Sequence, residues 1–145
     1  MAAGPTDEEL IRSARDAHAR RDKPRLASLR SAAMDTRHPL AAWVDYWALA
    51  ARLNEANANE VEAFYTRWPG SYVEDRLRND WLLELGRRKD WPAFAADYPR
   101  FRMDDDRDVH CHALMAEQQL GRALKEPGGK SLKERALAAW LAQRE

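Results

Sequence analysis

The chain has 145 residues, and its 24 Lys and Arg balance 24 Asp and Glu, so the formal charge is zero. This length predicts a single domain with one core. Zero net charge excludes a global attraction to nucleic acid or to an anionic membrane, and no nucleic-acid partner is predicted. The single cysteine, Cys111, excludes an internal disulfide framework and a zinc site made of cysteines alone.

The sequence predicts no transmembrane segment. Its longest uninterrupted apolar run, Tyr46 to Ala51, is far shorter than the roughly 20 residues that a bilayer requires. The first residues, Met1 to Asp7, contain neither a basic nor an apolar region, so no signal peptide is predicted in the sequence as written. A mature secreted chain carrying an added initiator Met would look the same, and the compartment therefore stays open.

Residue usage predicts an all-α protein. Ile11 is the only isoleucine, valine occurs four times and threonine three times, whereas alanine, the strongest helix former, occurs 26 times. Capping and proline signals divide the chain into eight predicted helices joined by short loops. Such connectivity is typical of antiparallel helix hairpins that stack into an α-superhelix, or solenoid.

The first four predicted helices begin at cap or proline signals. A capping box satisfies free N–H groups of the first turn, and proline is tolerated in a first turn but not inside a helix. The third helix is the most apolar and is predicted to be an inner helix that contacts both neighbours. The predicted elements are Asp7 to Arg21 after the box at Thr6, Pro24 to Met34, Pro39 to Asn54, and a helix capped at Asn57–Glu60 that ends at Pro69-Gly70.

The last four predicted helices follow from the same kinds of signal. Glycine after a helix and cations in its last turn indicate a C-terminus. The predicted elements are a helix capped by Ser71–Glu74 and ended by Gly86 and Arg87-Arg88-Lys89, a short helix from Asp90-Trp91-Pro92 to Tyr98-Pro99, a helix from Asp106 to Leu120 with Gly121 as its cap, and a last helix capped by Ser131–Glu134 that carries Leu137, Trp140 and Leu141.

His110-Cys111-His112 is the strongest candidate for chemistry, since imidazole and thiolate bind zinc and a Cys-His pair can act as a nucleophile. Adjacent residues of a helix point about 100° apart, however, so the three side chains cannot converge on one ion by themselves. The favoured interpretation makes Cys111 a small buried side chain beside Val109 and Leu114, with the histidines at the core edge. An enzyme built on His110 or His112 is the weakest alternative.

The acidic run Asp104–Asp108 lacks the glycine and the glutamate that an EF-hand calcium loop needs, because the twelfth position is Met115. It is interpreted as a solvated helix N-terminus, where carboxylates oppose the positive end of the helix dipole. No phosphate-binding, dinucleotide-binding or nucleophile-elbow motif occurs. No catalytic residue, cofactor-binding residue or metal ligand is predicted, and no cofactor.

Aromatic and basic residues offer possible binding surfaces. Tryptophan faces can stack on sugar rings, but in a small helical protein they more often pack in the core. The excess of 19 Arg over five Lys favours bidentate ion pairs between helices. Trp43, Trp47 and Trp81 lie within apolar stripes and are predicted to be core, whereas Trp68 and Trp91, each just before a proline at a helix end, are the better candidates for the surface. The basic residues Arg87-Arg88-Lys89 and Arg100/Arg102 are predicted to lie at helix ends rather than to bind an anionic polymer.

Several motifs occur in a fixed order between His38 and about Glu117, which is over half of the chain. They are His38-Pro39-Leu40 before the helix with Trp43, Tyr46 and Trp47; Phe64-Tyr65-Thr66-Arg67-Trp68-Pro69-Gly70-Ser71; Asp75-Arg76-Leu77-Arg78 with Trp81-Leu82; Leu85-Gly86-Arg87-Arg88-Lys89-Asp90-Trp91; and His110-Cys111-His112-Ala113-Leu114. In order and spacing this series resembles the N-terminal superhelical, U-type region of the soluble lytic murein transglycosylases.

The resemblance implies a periplasmic protein whose ring of paired helices precedes a lysozyme-like domain. That domain cleaves the MurNAc–GlcNAc bond of peptidoglycan and forms a 1,6-anhydro sugar, with one glutamate as acid and then base. This chain has no Glu-Ser pair and no Gly-Leu-Met-Gln segment of the catalytic domain, so no catalytic residue is carried over. The family also implies that Cys111 pairs with a cysteine beyond Glu145.

The leading expectation is therefore one α-superhelical domain over residues 1–145. It would be non-catalytic itself and would form the N-terminal segment of a longer enzyme. Its partners would be peptidoglycan glycan strands, bound through the parent enzyme. The alternative is a tetratricopeptide-like module that binds a protein or peptide, although the sequence shows no clean 34-residue consensus.

Overall fold

The computed structural model describes residues 7–124 together with Glu134, Leu137, Trp140 and Leu141. All regular secondary structure in these residues is helical, which confirms the predicted all-α class. The chain divides into two compact units, residues 1–69 and residues 70–145. Among the described helices, none combines the length and the apolar character needed to cross a membrane.

The first unit contains four α-helices and a short 3-10 turn. They are α1 (Asp7–Ala19), α2 (Lys23–Asp35), α3 (Ala41–Ala50), the 3-10 turn Leu53–Glu55 and α4 (Ala58–Arg67). Helix α3 packs against both α1 and α2. Ala14, Leu26 and Val44, one residue from each of these helices, are fully buried. Five of the nine buried residues in this core cluster are alanines.

The caps of the first unit follow the sequence, but two helices are shorter than predicted. Asn57 and Glu60 form the predicted capping box at the start of α4. Helix α1 ends before Arg21 because Arg21 has a positive φ of 56°, which a right-handed helix does not accept. Helix α3 starts after Leu40, since the Leu40 N–H donates to His38 Nδ1. The predicted cap residue Thr6 lies outside the described residues.

The second unit contains three α-helices within its described part. The three helices are α5 (Tyr72–Arg88), α6 (Trp91–Asp97) and α7 (Arg107–Leu120), and the 3-10 turn Tyr98–Arg100 follows α6. All three helices pack against one another. Leu77 of α5, Phe94 of α6 and Val109 of α7 are fully buried at their contacts.

The predicted ends of the helices in the second unit are confirmed. Ser71 caps α5, and Gly121, with a φ of 67°, ends α7 as predicted. Helix α5 ends within the predicted run Gly86-Arg87-Arg88-Lys89, with Arg87 and Arg88 in its last turn, although the left-handed residue is Lys89, with a φ of 58°, and Gly86 is still helical. Of the predicted last helix, Ser131 lies outside the described residues, whereas Glu134, Leu137, Trp140 and Leu141 are helical.

Candidate functional site

The three residues His110, Cys111 and His112 do not form one site. Val109, Ala113 and Ala116 face the core from α7, which leaves Cys111 on the opposite side of the helix. Cys111 is exposed, so its prediction as a buried side chain is wrong. The described residues contain no group of three His, Cys, Asp or Glu side chains placed to hold a metal ion.

Each histidine has a separate environment. His110 is buried, and its Nε2 lies 2.8 Å from Asp104 Oδ1. Burial lowers the pKa of His110, because it disfavours the imidazolium more strongly than the charges of Asp106 and Asp105 favour it. The ring of His112 packs instead against the rings of Trp91 and Phe94.

The acidic run is a helix N-terminus, as predicted. Asp106 Oδ1 accepts hydrogen bonds from the N–H groups of Asp108 and Val109, which satisfies two free donors of α7. Its Oδ2 accepts a hydrogen bond from Asn79 Nδ2 of α5. The aspartates therefore start α7 and attach it to α5.

The tryptophans are divided between core and surface differently from the prediction. Trp81 is buried as predicted, whereas Trp43 and Trp47 are half-buried. Trp91 is buried, so its assignment to the surface is wrong: as the first residue of α6 it packs on Phe94. Trp68 is half-buried, and its indole N–H donates to a carboxylate inside the first unit.

The basic residues near the ends of α5 and α6 contact carboxylates or carbonyls of their own unit. Arg87 and Arg88 both donate to Glu84 in the preceding turn. The pKa of Glu84 is lowered chiefly by its hydrogen bond from Arg87. Arg102 donates to the Ser71 carbonyl, and Arg100 lies 3.5 Å from Asp97. These contacts agree with the helix-end interpretation.

A buried guanidinium that the sequence analysis did not identify as central organises the second unit. Arg78 of α5 is only 1% exposed; its Nε donates to Asp97 of α6 at 3.0 Å, and its Nη1 donates to Glu74 and Asp75. Burial opposes ionisation of Glu74, but the Gly70 N–H and Arg78 outweigh it, so the pKa of Glu74 is lowered. One cation thus compensates several carboxylates away from water.

Asp45 is the buried charged residue that connects helices in the first unit. It is 1% exposed on α3 and accepts hydrogen bonds from Arg30 Nε at 2.6 Å, from Arg67 Nε at 2.8 Å and from Trp68 Nε1 at 2.8 Å. These donors come from α2, from α4 and from the residue after α4. A single carboxylate therefore connects three helices.

A cleft of about 350 Å³ lies beside Asp45, and we call it the arginine cleft. Its polar walls carry two carboxylates and four cations. Arg52 Nη1 donates to Glu60 Oε1 at 2.9 Å. The pKa of Glu60 is lowered chiefly by the hydrogen bond from the Asn57 N–H and further by Arg52. The charged residues that line the cleft are Lys23, Arg30, Asp45, Arg52, Glu60 and Arg67.

The sequence contains one signal for this cleft, which is a charged residue within an apolar helix. Asp45 is the only charged residue in α3, the most apolar helix. A carboxylate in such a segment must be paired, because an isolated buried charge is very costly. The identity of its partners, Arg30 and Arg67, depends on the packing of helices that are distant in sequence.

The comparisons with known proteins give no relative for this chain. No protein-family model, no curated protein and no solved structure matches it.

Proposed function

We propose that this chain is a non-catalytic helical scaffold segment of a periplasmic lytic transglycosylase, an enzyme that cleaves peptidoglycan at the MurNAc–GlcNAc bond with a 1,6-anhydro product. In this proposal its helix hairpins belong to an α-superhelix that holds glycan strands near a catalytic domain elsewhere. The observation that carries the proposal is the ordered series of motifs between His38 and Glu117.

The positions of the motif residues support a scaffold role. His38 Nε2 lies 2.9 Å from the Asp7 carbonyl and its Nδ1 accepts from the Leu40 N–H, so this ring fixes the entry to α3. Asp75 accepts hydrogen bonds from the Arg102 and Met103 N–H groups, which attaches the segment after α6 to α5. These residues determine the geometry of the helices through internal contacts.

The turn at Gly70 also has a structural role, which depends on internal hydrogen bonds. Gly70 has a φ of 73°, a conformation that residues with a Cβ rarely adopt. Its N–H donates to Glu74 Oε1 at 2.8 Å, and Ser71 then caps α5. The Trp-Pro-Gly-Ser series thus ends one helix and starts the next, which is the task of a connection in a helical repeat.

The first test is the location and mass of the native protein in its source cells, detected with an antibody to this chain in periplasmic and cytoplasmic fractions. We expect a periplasmic band several times heavier than 16.7 kDa. A cytoplasmic band at 16.7 kDa would contradict the proposal and favour the alternative of a tetratricopeptide-like interaction module.

A second test measures cosedimentation of the purified chain with insoluble peptidoglycan sacculi, with cellulose particles as a polysaccharide control. The scaffold proposal expects retention on sacculi and none on cellulose. Equal retention on both, or capture of one discrete protein partner without sacculus binding, would count against it.

A further inference from the structure

The arginine cleft carries more positive than negative charge. Its four cations, on Lys23, Arg30, Arg52 and Arg67, face two carboxylates, on Asp45 and Glu60. Because the whole chain has a formal charge of zero, this excess is local. Outside the lining, Glu55 Oε1 lies 3.4 Å from the Lys23 Nζ, and the two side chains are 64% and 45% exposed.

The guanidinium groups have donors that the protein does not use. Arg30 donates to Asp45 only through Nε, and Arg52 donates to Glu60 only through Nη1. Arg67 uses Nε and Nη2, both toward Asp45. Within the described part of the chain, Arg30 Nη1 and Nη2, Arg52 Nη2 and Arg67 Nη1 have no hydrogen-bond acceptor. Each of these side chains is about a third exposed, so an incoming ligand can reach it.

Asp45 also holds two of these groups in place. It binds the Nε of both Arg30 and Arg67 from a position that is almost inaccessible to water. A guanidinium fixed in this way loses less conformational freedom when it binds a second acceptor. Planar N–H pairs of arginine match the spacing of two oxygens on a carboxylate or a phosphate.

We propose that the arginine cleft is a binding site for an oxyanion group, a carboxylate or a phosphate, carried by a ligand. The unused N–H groups of Arg30, Arg52 and Arg67 donate to its oxygens, and Lys23 adds charge at the rim. This inference does not rest on the proposed function, because it follows from the charges and donors of the first unit alone.

The test uses nuclear magnetic resonance of the full chain, with the indole N–H of Trp68 as the reporter. This N–H lies 2.8 Å from Asp45 Oδ2, so it senses changes at the cleft wall. Inorganic phosphate and N-acetylglycine, a simple carboxylate, are titrated separately at constant ionic strength. We expect a saturable shift of the Trp68 signal. Saturation by only one of the two probes identifies the oxyanion, and saturation by both supports a general oxyanion site.

Two variants and a control separate binding from a general charge effect. Arg52→Gln removes an unused donor and should weaken the affinity about tenfold, whereas Glu60→Gln removes a competing carboxylate and should tighten it. Arg12→Gln also removes one positive charge from the first unit but does not line the cleft, and it should leave the affinity unchanged. Absence of saturation with both probes, or equal affinities in the Arg52 and Arg12 variants, would overturn the proposal. The spectrum of each variant reports whether it is folded.

Discussion

At the scale of single residues, glycine is required at position 86 because of a side chain that is distant in sequence. A Cβ at this position would lie 2.5 Å from the Cγ and Cδ2 atoms of His112, which is far inside van der Waals contact. Glycine inside a helix costs about 1 kcal/mol relative to alanine. Glycine is nevertheless favoured here because the His112 ring of α7 packs against the backbone of α5 and leaves no room for a Cβ.

Gly86→Ala should therefore destabilise the protein by about 1–3 kcal/mol, because an overpacked contact forces the ring or the helix to move. Urea denaturation measures the free energy of unfolding. In a His112→Ala background the same substitution should be neutral or stabilising, since only helix propensity then remains. An unchanged cost in that background would show that His112 is not the cause.

His110 is the second residue whose properties come from the fold. Its pKa lies below the ordinary value of 6.5, so the unfolded chain takes up a proton at a higher pH than the folded chain does. Stability is then full above pH 6.5 and falls as the pH decreases from there to the lower folded pKa. Burial is the cause, since the nearby aspartates act in the opposite direction.

We expect His110→Gln to remove this pH dependence of the free energy of unfolding below pH 6.5. His18→Gln, which replaces an exposed imidazole stacked on Trp47, is the matched control and should keep it. Urea denaturation of both variants at a series of pH values gives the comparison. If wild type and His110→Gln have the same slope, the fold does not lower the pKa of His110.

At the scale of helices, each unit contains a buried charged residue that hydrogen-bonds to more than one neighbouring segment. Asp45 joins α3 to α2 and α4, and Arg78 joins α5 to α6 and to the Arg100 carbonyl. A buried ion pair adds little net stability, but removing one partner leaves the other charge uncompensated. Loss of either residue therefore leaves its hydrogen-bond partners without their counter-charge.

Asp45→Asn should lower the free energy of unfolding by about 1–3 kcal/mol, since Arg30 and Arg67 lose their common anion but are about a third exposed to water. Thermal or urea denaturation measures the loss. Glu8→Gln, which breaks the exposed pair with Arg12 on α1, should change stability by about 0.5 kcal/mol or less. Similar losses in both variants would contradict the connecting role of Asp45.

At the scale of the whole molecule, the described residues form two compact units, each with its own buried core. Because the Asp45 and Arg78 networks lie in different units, we expect the loss of either network to lower the local stability of its own unit first. Arg78→Met tests this, because it leaves Glu74, Asp75 and Asp97 without their shared cation.

Arg78→Met should increase amide hydrogen exchange in α5, α6 and α7 by an order of magnitude or more, as expected for a loss of several kcal/mol of local stability. Exchange in α1 to α4 should change much less. Asp45→Asn serves as the converse and should act on α1 to α4. A uniform increase over both units in either variant would show that the chain unfolds as one cooperative body.

Local sequence patterns were sufficient to predict the all-α class, the capping box at Asn57, the cap at Ser71 and the end of α7 at Gly121. These features depend on residues within one turn of each other, so local propensity and hydrogen bonding are sufficient to predict them. The packing role of Gly86 was not predictable in this way. A Cβ at this position would clash with His112, which is 26 positions away.

The burial of Trp91, the exposure of Cys111 and the composition of the arginine cleft depend instead on how the helices pack. Asp45 was visible in the sequence as a charge in an apolar helix, but its partners Arg30 and Arg67 lie 15 and 22 positions away. Pairing over such separations is set by how helices pack, and helix periodicity gives the face of each helix but not the face of its neighbour. For this reason local sequence patterns predicted the helices, whereas the charged cleft emerged only from their assembly.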